Sequence, residues 1–121
     1  MNLPDMNPFL FVTDLDNTLV GDDAALKQLN HELAEHRQQY SSKIVYATGR
    51  SLYLYRLLAE AKSLLPPDAL ITSVGTEMYF DQQQSEYDPE WAQILAQGWD
   101  REAIVAIASQ FEHLQSQPSS E

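Results

Sequence analysis

The sequence predicts an α/β domain on a doubly wound parallel sheet. Three observations carry that expectation: short apolar runs rich in β-branched and aromatic residues, amphipathic stretches of helical period between them, and a regular alternation of the two through Thr72. The run Phe9-Leu10-Phe11-Val12-Thr13 is of the kind that fills a strand buried on both faces, and it stops abruptly at Asp14. After a polar turn, Leu26, Leu29 and Leu33 recur at helical spacing behind Asp22 and Asp23, which stand where a cap and a favourable dipole charge belong. A second strand is expected at Ile44-Val45-Tyr46-Ala47, running into Thr48-Gly49-Arg50-Ser51. A second helix then carries Leu54, Leu57, Leu58, Ala61 and Leu65 until Pro66-Pro67 stops it. Ala69-Leu70-Ile71-Thr72 reads as a third strand. Beyond it, residues 76–80 read as extended and 81–85 as a polar loop. A short helix follows around 90–97, and a longer one places Ile104, Ile107, Ala108, Phe111 and Leu114 on one face. The Ser-, Gln- and Pro-rich tail at 116–121 is expected to fray, and the chain has no internal repeat.

Composition narrows the function classes. A chain of 121 residues is sized for one domain. Its 7 Lys and Arg against 18 Asp and Glu leave a net charge of −11, which excludes nonspecific capture of nucleic acid or an anionic membrane by a basic field. With 44% hydrophobic residues it is not a disordered acidic tail. The absence of Cys excludes disulfides and thiolate chemistry and fits a reducing compartment. No basic segment leads into an apolar run at the N-terminus, and the longest apolar stretch is far short of a membrane span. The expectation is a soluble, cytoplasmic protein with neither nucleic acid nor membrane as partner.

In open α/β sheets, reactive groups sit beyond the carboxyl ends of the strands. Asp14-Leu15-Asp16-Asn17-Thr18 follows the first strand, and two carboxylates one residue apart on an extended turn point the same way. Like charges that close disfavour joint ionisation, and Mg²⁺ held by carboxylate and carbonyl oxygens would remove the cost. The plain alternative is a capping turn of ordinary loop residues. Thr48-Gly49-Arg50-Ser51 ends the second strand and opens a helix, so its hydroxyls and free N–H groups form an anion-binding corner. Other candidates read as structural. His31, His36 and His113 lack ligand spacing and are expected on solvated faces. Tyr53, Tyr55, Trp91 and Trp99 read as packing residues, and Glu86, Asp88 and Glu90 as solvated loop.

The Asp-x-Asp-x-Thr turn at 14–18 and the Ala-Thr-Gly-Arg turn at 47–50 resemble the first two motifs of the haloacid dehalogenase superfamily of phosphatases. With Ser73-Val74-Gly75-Thr76-Glu77 added, the chain is similar to the sucrose-phosphate phosphatases of cyanobacteria and plants along nearly its whole length, Trp91 and Trp99 included. The resemblance implies a haloacid dehalogenase-like core over residues 1–80 and the beginning of a cap domain over 81–121. It implies that Asp14 is the nucleophile forming an aspartyl-phosphate and that Asp16 is the general acid and base. Mg²⁺ would rest on the Asp14 carboxylate and the Asp16 carbonyl, and Thr48 and Gly49 would meet the phosphoryl group. Arg50, Gly75, Thr76 and Glu77 would lie beside the substrate, against plainer readings of an Arg50 surface ion pair and a Gly75 that only turns the chain. The implied substrate is a small sugar phosphate, sucrose 6-phosphate first, with trehalose phosphate as an alternative.

The pattern also breaks. Members carry a later Lys and an acidic Gly-Asp-x-x-x-Asp turn; Lys62 comes too early for the first, and nothing after Asp100 matches the second. In the usual strand order the first strand lies in the middle, so residues 9–13 would become an exposed apolar edge, and the face of Ile104, Ile107 and Phe111 would lack its cover. The expectation is an incomplete fold, truncated or split and weakly active alone. The non-catalytic alternative is a remnant that binds its complementary C-terminal half or a sucrose-phosphate synthase.

Overall fold

The computed structural model describes residues 7–118, so the expected fraying at 116–121 lies partly outside the described residues. In chain order the elements are β1 (Leu10–Thr13), α1 (Asp23–Tyr40), β2 (Lys43–Ala47), α2 (Leu52–Lys62), β3 (Ala69–Thr72), β4 (Glu77–Tyr79), α3 (Pro89–Ala96) and α4 (Arg101–Ala108), with a 3-10 turn at Ser73–Gly75 between β3 and β4. The strands form one sheet in the order β1-β2-β3-β4. The first three run parallel, with Phe11 opposite Ile44 and Tyr46 opposite Leu70. β4 pairs antiparallel with β3, Ile71 opposite Met78, so the sheet is mixed at that edge. The reason is the connection: a tight turn can only fold the chain back on itself, whereas parallel pairing needs a long crossover.

Strands in sequence order, joined by crossovers of one hand, place both crossover helices on the same face. Contacts between the two helical segments agree. Lys62 Nζ lies 3.0 Å from Asp23 Oδ1, and Asn30 Nδ2 donates to the Ser63 carbonyl at 3.4 Å. Under them the sheet buries Ile44, Tyr46, Leu70 and Tyr79 against Leu26 and Leu33 of α1 and Tyr55 and Leu58 of α2. Burial pushes the Tyr55 phenol up to about 12. Strand alternation sends Leu10 and Val12 to the opposite face, where they remain 64% and 55% exposed. The winding is thus present on one face among the described residues, and β1 is an edge strand, as the break in the motif pattern leads one to expect.

At the amino ends of the strands, side chains complete what the backbone cannot. Asp68 Oδ2 accepts from the Ile44 amide at 2.8 Å, and the Asp68 amide donates to the Ile44 carbonyl at 2.7 Å. Arg37 reaches the same place, donating to the Pro66 carbonyl at 2.6 Å with Asp68 at 3.5 Å. Ser42 Oγ accepts from the Phe9 amide at 3.0 Å and lies 2.8 Å from His36 Nδ1. His36 is therefore a core residue, 6% exposed with its ring between Phe9 and Tyr40, not a solvated one; the helical period faces it inward with Leu33 and Leu26. Two helix ends also differ from the sequence expectation. α2 stops at Lys62, where Ser63 takes a left-handed conformation (φ 52°), and α4 stops at Ala108, which leaves Phe111 and Leu114 outside it and exposed. No helix among the described residues is long and apolar enough to cross a membrane.

Candidate active site

The turn after β1 is rooted by one residue. Leu15 is fully buried, and its carbonyl accepts from the Thr18 and Val20 amides at 3.2 and 2.9 Å. With Leu15 held inward, its neighbours Asp14 and Asp16 project outward together, and a left-handed Asn17 (φ 60°) closes the loop. Asp14 Oδ1 accepts from the Leu15 amide at 2.7 Å.

The corner after β2 is built over Thr48. Its amide donates to the Ile71 carbonyl, and its buried Oγ1 accepts from the Arg50 amide at 3.1 Å. Ser51 caps α2 by accepting from the Leu54 amide. Arg50 turns back across the strand ends. Its Nε donates to Asp16 Oδ2 at 2.9 Å and its Nη2 to Asp16 Oδ1 at 2.8 Å, a two-pronged pair. The guanidinium holds the Asp16 carboxyl below the usual carboxylate range. The surface ion pair named as the plain reading of Arg50 is therefore present, and its acid is the second carboxylate of the first motif.

The third segment is conformationally costly. Ser73, Val74 and Gly75 all have positive φ (53°, 57° and 86°). Glycine takes that region freely, whereas each of the other two pays about 1–3 kcal/mol. Four hydrogen bonds retain the shape: the Ser73 amide to the Arg50 carbonyl at 2.8 Å, the Thr76 amide and hydroxyl to the Ser73 carbonyl, and the Trp91 indole to the Gly75 carbonyl at 2.9 Å.

These pieces enclose a cleft of about 540 Å³ lined by Asp14, Asp16, Gly49, Arg50, Ser51, Leu54, Ser73, Val74 and Gln117. Of the residues singled out from the sequence, Asp14, Asp16, Gly49 and Arg50 meet there, and Thr48 lies beneath as a buried support. Thr76 and Glu77 instead line a separate pocket with Tyr87, Leu95 and Trp99. Glu77 accepts from the Tyr79 phenol at 2.8 Å, and burial together with that carboxylate pushes the phenol up to about 12. Leu54, Ser73, Val74 and Gln117 line the cleft without being singled out by the sequence motifs. Ser73 and Val74 belong to the third segment, while Gln117 comes from the distant tail and carries no local signal.

Two carboxylates and one guanidinium leave the cleft with one negative charge, which opposes a phosphate ester. No group of three or more His, Cys, Asp or Glu converges into a metal cage among the described residues. Mg²⁺ does not need one, since it keeps several waters and is held by one or two carboxylates and phosphate oxygens. The Asp14 carboxylate and the Asp16 carbonyl are hard oxygen donors of that kind.

Sheet order, the acid pair after β1 and the Thr-Gly-Arg corner after β2 define a partial haloacid dehalogenase-like core. A haloacid dehalogenase-like hydrolase of Bacillus subtilis shares this fold, with a TM-score of 0.63 at 19% identity over 88% of this chain and 50% of that one. The model of the sucrose-6F-phosphate phosphohydrolase family matches residues 7–121, and the chain belongs to that family. It is 36% identical to "Probable sucrose-phosphatase 1" of Arabidopsis thaliana over 93% of its length. A sucrose-phosphatase from Synechocystis sp. PCC6803, solved in complex with sucrose and phosphate, superposes with a TM-score of 0.84 at 38% identity over 95% of this chain. The chain spans 27% of the Arabidopsis protein and 45% of the Synechocystis structure.

Proposed function

We propose that the chain supplies the nucleophile and phosphate corner of a sugar-phosphate phosphatase acting on sucrose 6-phosphate. The supporting observation is that Asp14, Asp16, Gly49 and Arg50, drawn from two separate turns, line one cleft in a chain of this family. In this reading Asp14 attacks phosphorus, the bond to the sugar oxygen breaks, and Asp16 gives that oxygen a proton. Asp16 then takes a proton from water, whose oxygen attacks the aspartyl-phosphate and returns Asp14 and inorganic phosphate. Thr48 Oγ1 accepts from the Arg50 amide from beneath the cleft, and its hydroxyl proton would turn to a phosphoryl oxygen. The fork from Arg50 favours the base form of Asp16, so proton donation requires that fork to open. Mg²⁺ would be held by the Asp14 carboxylate and the Asp16 carbonyl and would supply the positive charge the cleft lacks.

Among the described residues β1 forms one edge of the sheet, and this edge with the exposed Leu10 and Val12 supports a further element of this reading: the chain works as part of a larger unit that covers them. The test is phosphate release from sucrose 6-phosphate, with Mg²⁺ and with a chelator, by the chain alone and mixed with the remaining segment of a sucrose-phosphatase. The reading expects Mg²⁺-dependent release that rises on mixing and disappears in Asp14→Asn. Equal release by the Asp14→Asn chain would overturn it.

A further inference from the structure

Val74 occupies a position that the fold alone does not explain. A β-branched residue at φ 57° is an outlier that Gly or Asn would relieve, and its side chain is 83% exposed, so no packing offsets the strain. What the residue gains is a place. A Cβ built on Gly49 would sit 3.9 Å from Val74 Cγ2, so the isopropyl group overhangs the Thr48–Ser51 corner and lines the same cleft as Asp14 and Asp16. The turn is held there from two sides, by the Arg50 carbonyl and by the Trp91 indole.

Among the other lining groups, Asp14, Asp16, Arg50, Ser51, Ser73 and Gln117 are polar and only Leu54 is a large apolar one, so Val74 and Leu54 supply the apolar side of the cleft, which suits a carbon skeleton and not a phosphoryl group. We propose that Val74 is a specificity-determining residue: its strained turn presents an apolar wall to the C–H surface of the sugar that carries the phosphate. The proposal rests on the phosphatase reading above and assigns one residue within it. The phosphoryl group is bound by charge and hydrogen bonds, whereas the leaving group is gripped by Val74. This contact discriminates a sugar phosphate from free phosphate.

The consequences separate cleanly because removing the side chain relieves strain while it removes the wall. In Val74→Gly the melting temperature should rise, since glycine takes positive φ without cost. Calorimetric titration with Mg²⁺ in an Asp14→Asn background, which does not turn the ester over, should give for the Val74→Gly substitution a roughly tenfold weaker Kd for sucrose 6-phosphate and an unchanged Kd for inorganic phosphate. Unchanged affinity for the ester overturns the proposal, as does equal weakening toward both ligands. A lower melting temperature also overturns it, by assigning Val74 to the fold. A parent chain that binds phosphate but gains nothing from the sugar keeps the phosphate site and overturns only this proposal; one that binds neither ligand overturns the phosphatase reading and this proposal together.

Discussion

At the scale of single residues, the Asp16–Arg50 pair has the sharpest consequence. Asp16 is ionised more readily in the folded chain than its ordinary value of 3.8, because Arg50 donates two hydrogen bonds to it. A depressed carboxyl contributes stability that is fully present above the unfolded pKa and is lost as pH falls through the folded one. Both side chains are partly open to water, so the contribution is held to about 1 kcal/mol or less. Arg50→Met should therefore lower unfolding free energy by that amount at pH 7, and the difference should shrink toward zero as pH drops below 3.8, as denaturant titrations at both pH values will measure.

At the scale of elements, the chain separates support from chemistry along each strand. The amino end of β2 is held by Asp68, which satisfies the Ile44 amide and meets Arg37, while the carboxyl ends of β1 and β2 carry Asp14 and Thr48. Asp68→Ala leaves the Ile44 N–H without its partner at a largely covered strand end. It should cost about 2 kcal/mol by urea unfolding, with the phosphate Kd unchanged. The sequence made these elements legible where periodicity or punctuation was strong: the run at 9–13, the leucines of α1, and the Pro66-Pro67 stop. It misjudged the end of α2, because Leu64 and Leu65 continue the apolar pattern after Ser63 has left the helix to pack on the core.

At the scale of the whole molecule, the described residues cover the sheet with helices on one face, and Leu10 and Val12 stand exposed on the other along β1, an edge strand. Such a surface drives association. Sedimentation of the isolated chain should show mass rising with concentration, and Leu10→Lys with Val12→Lys should suppress the rise. Folded stability should change by no more than about 0.5 kcal/mol, since both side chains point away from the core.

The sequence by itself determined the alternation of strands and helices, the two acids after the first strand, the Thr-Gly-Arg corner and the family resemblance. These are local patterns, written in a residue's near neighbours. Tertiary structure alone decided that β4 runs antiparallel, that both crossover helices share a face, that His36 enters the core and that Arg50 chooses Asp16 among many carboxylates. It also decided that Val74 hangs over Gly49. Each of these joins residues far apart in sequence or depends on the direction a turn takes, and periodicity within one element carries no information about which distant partner closes against it.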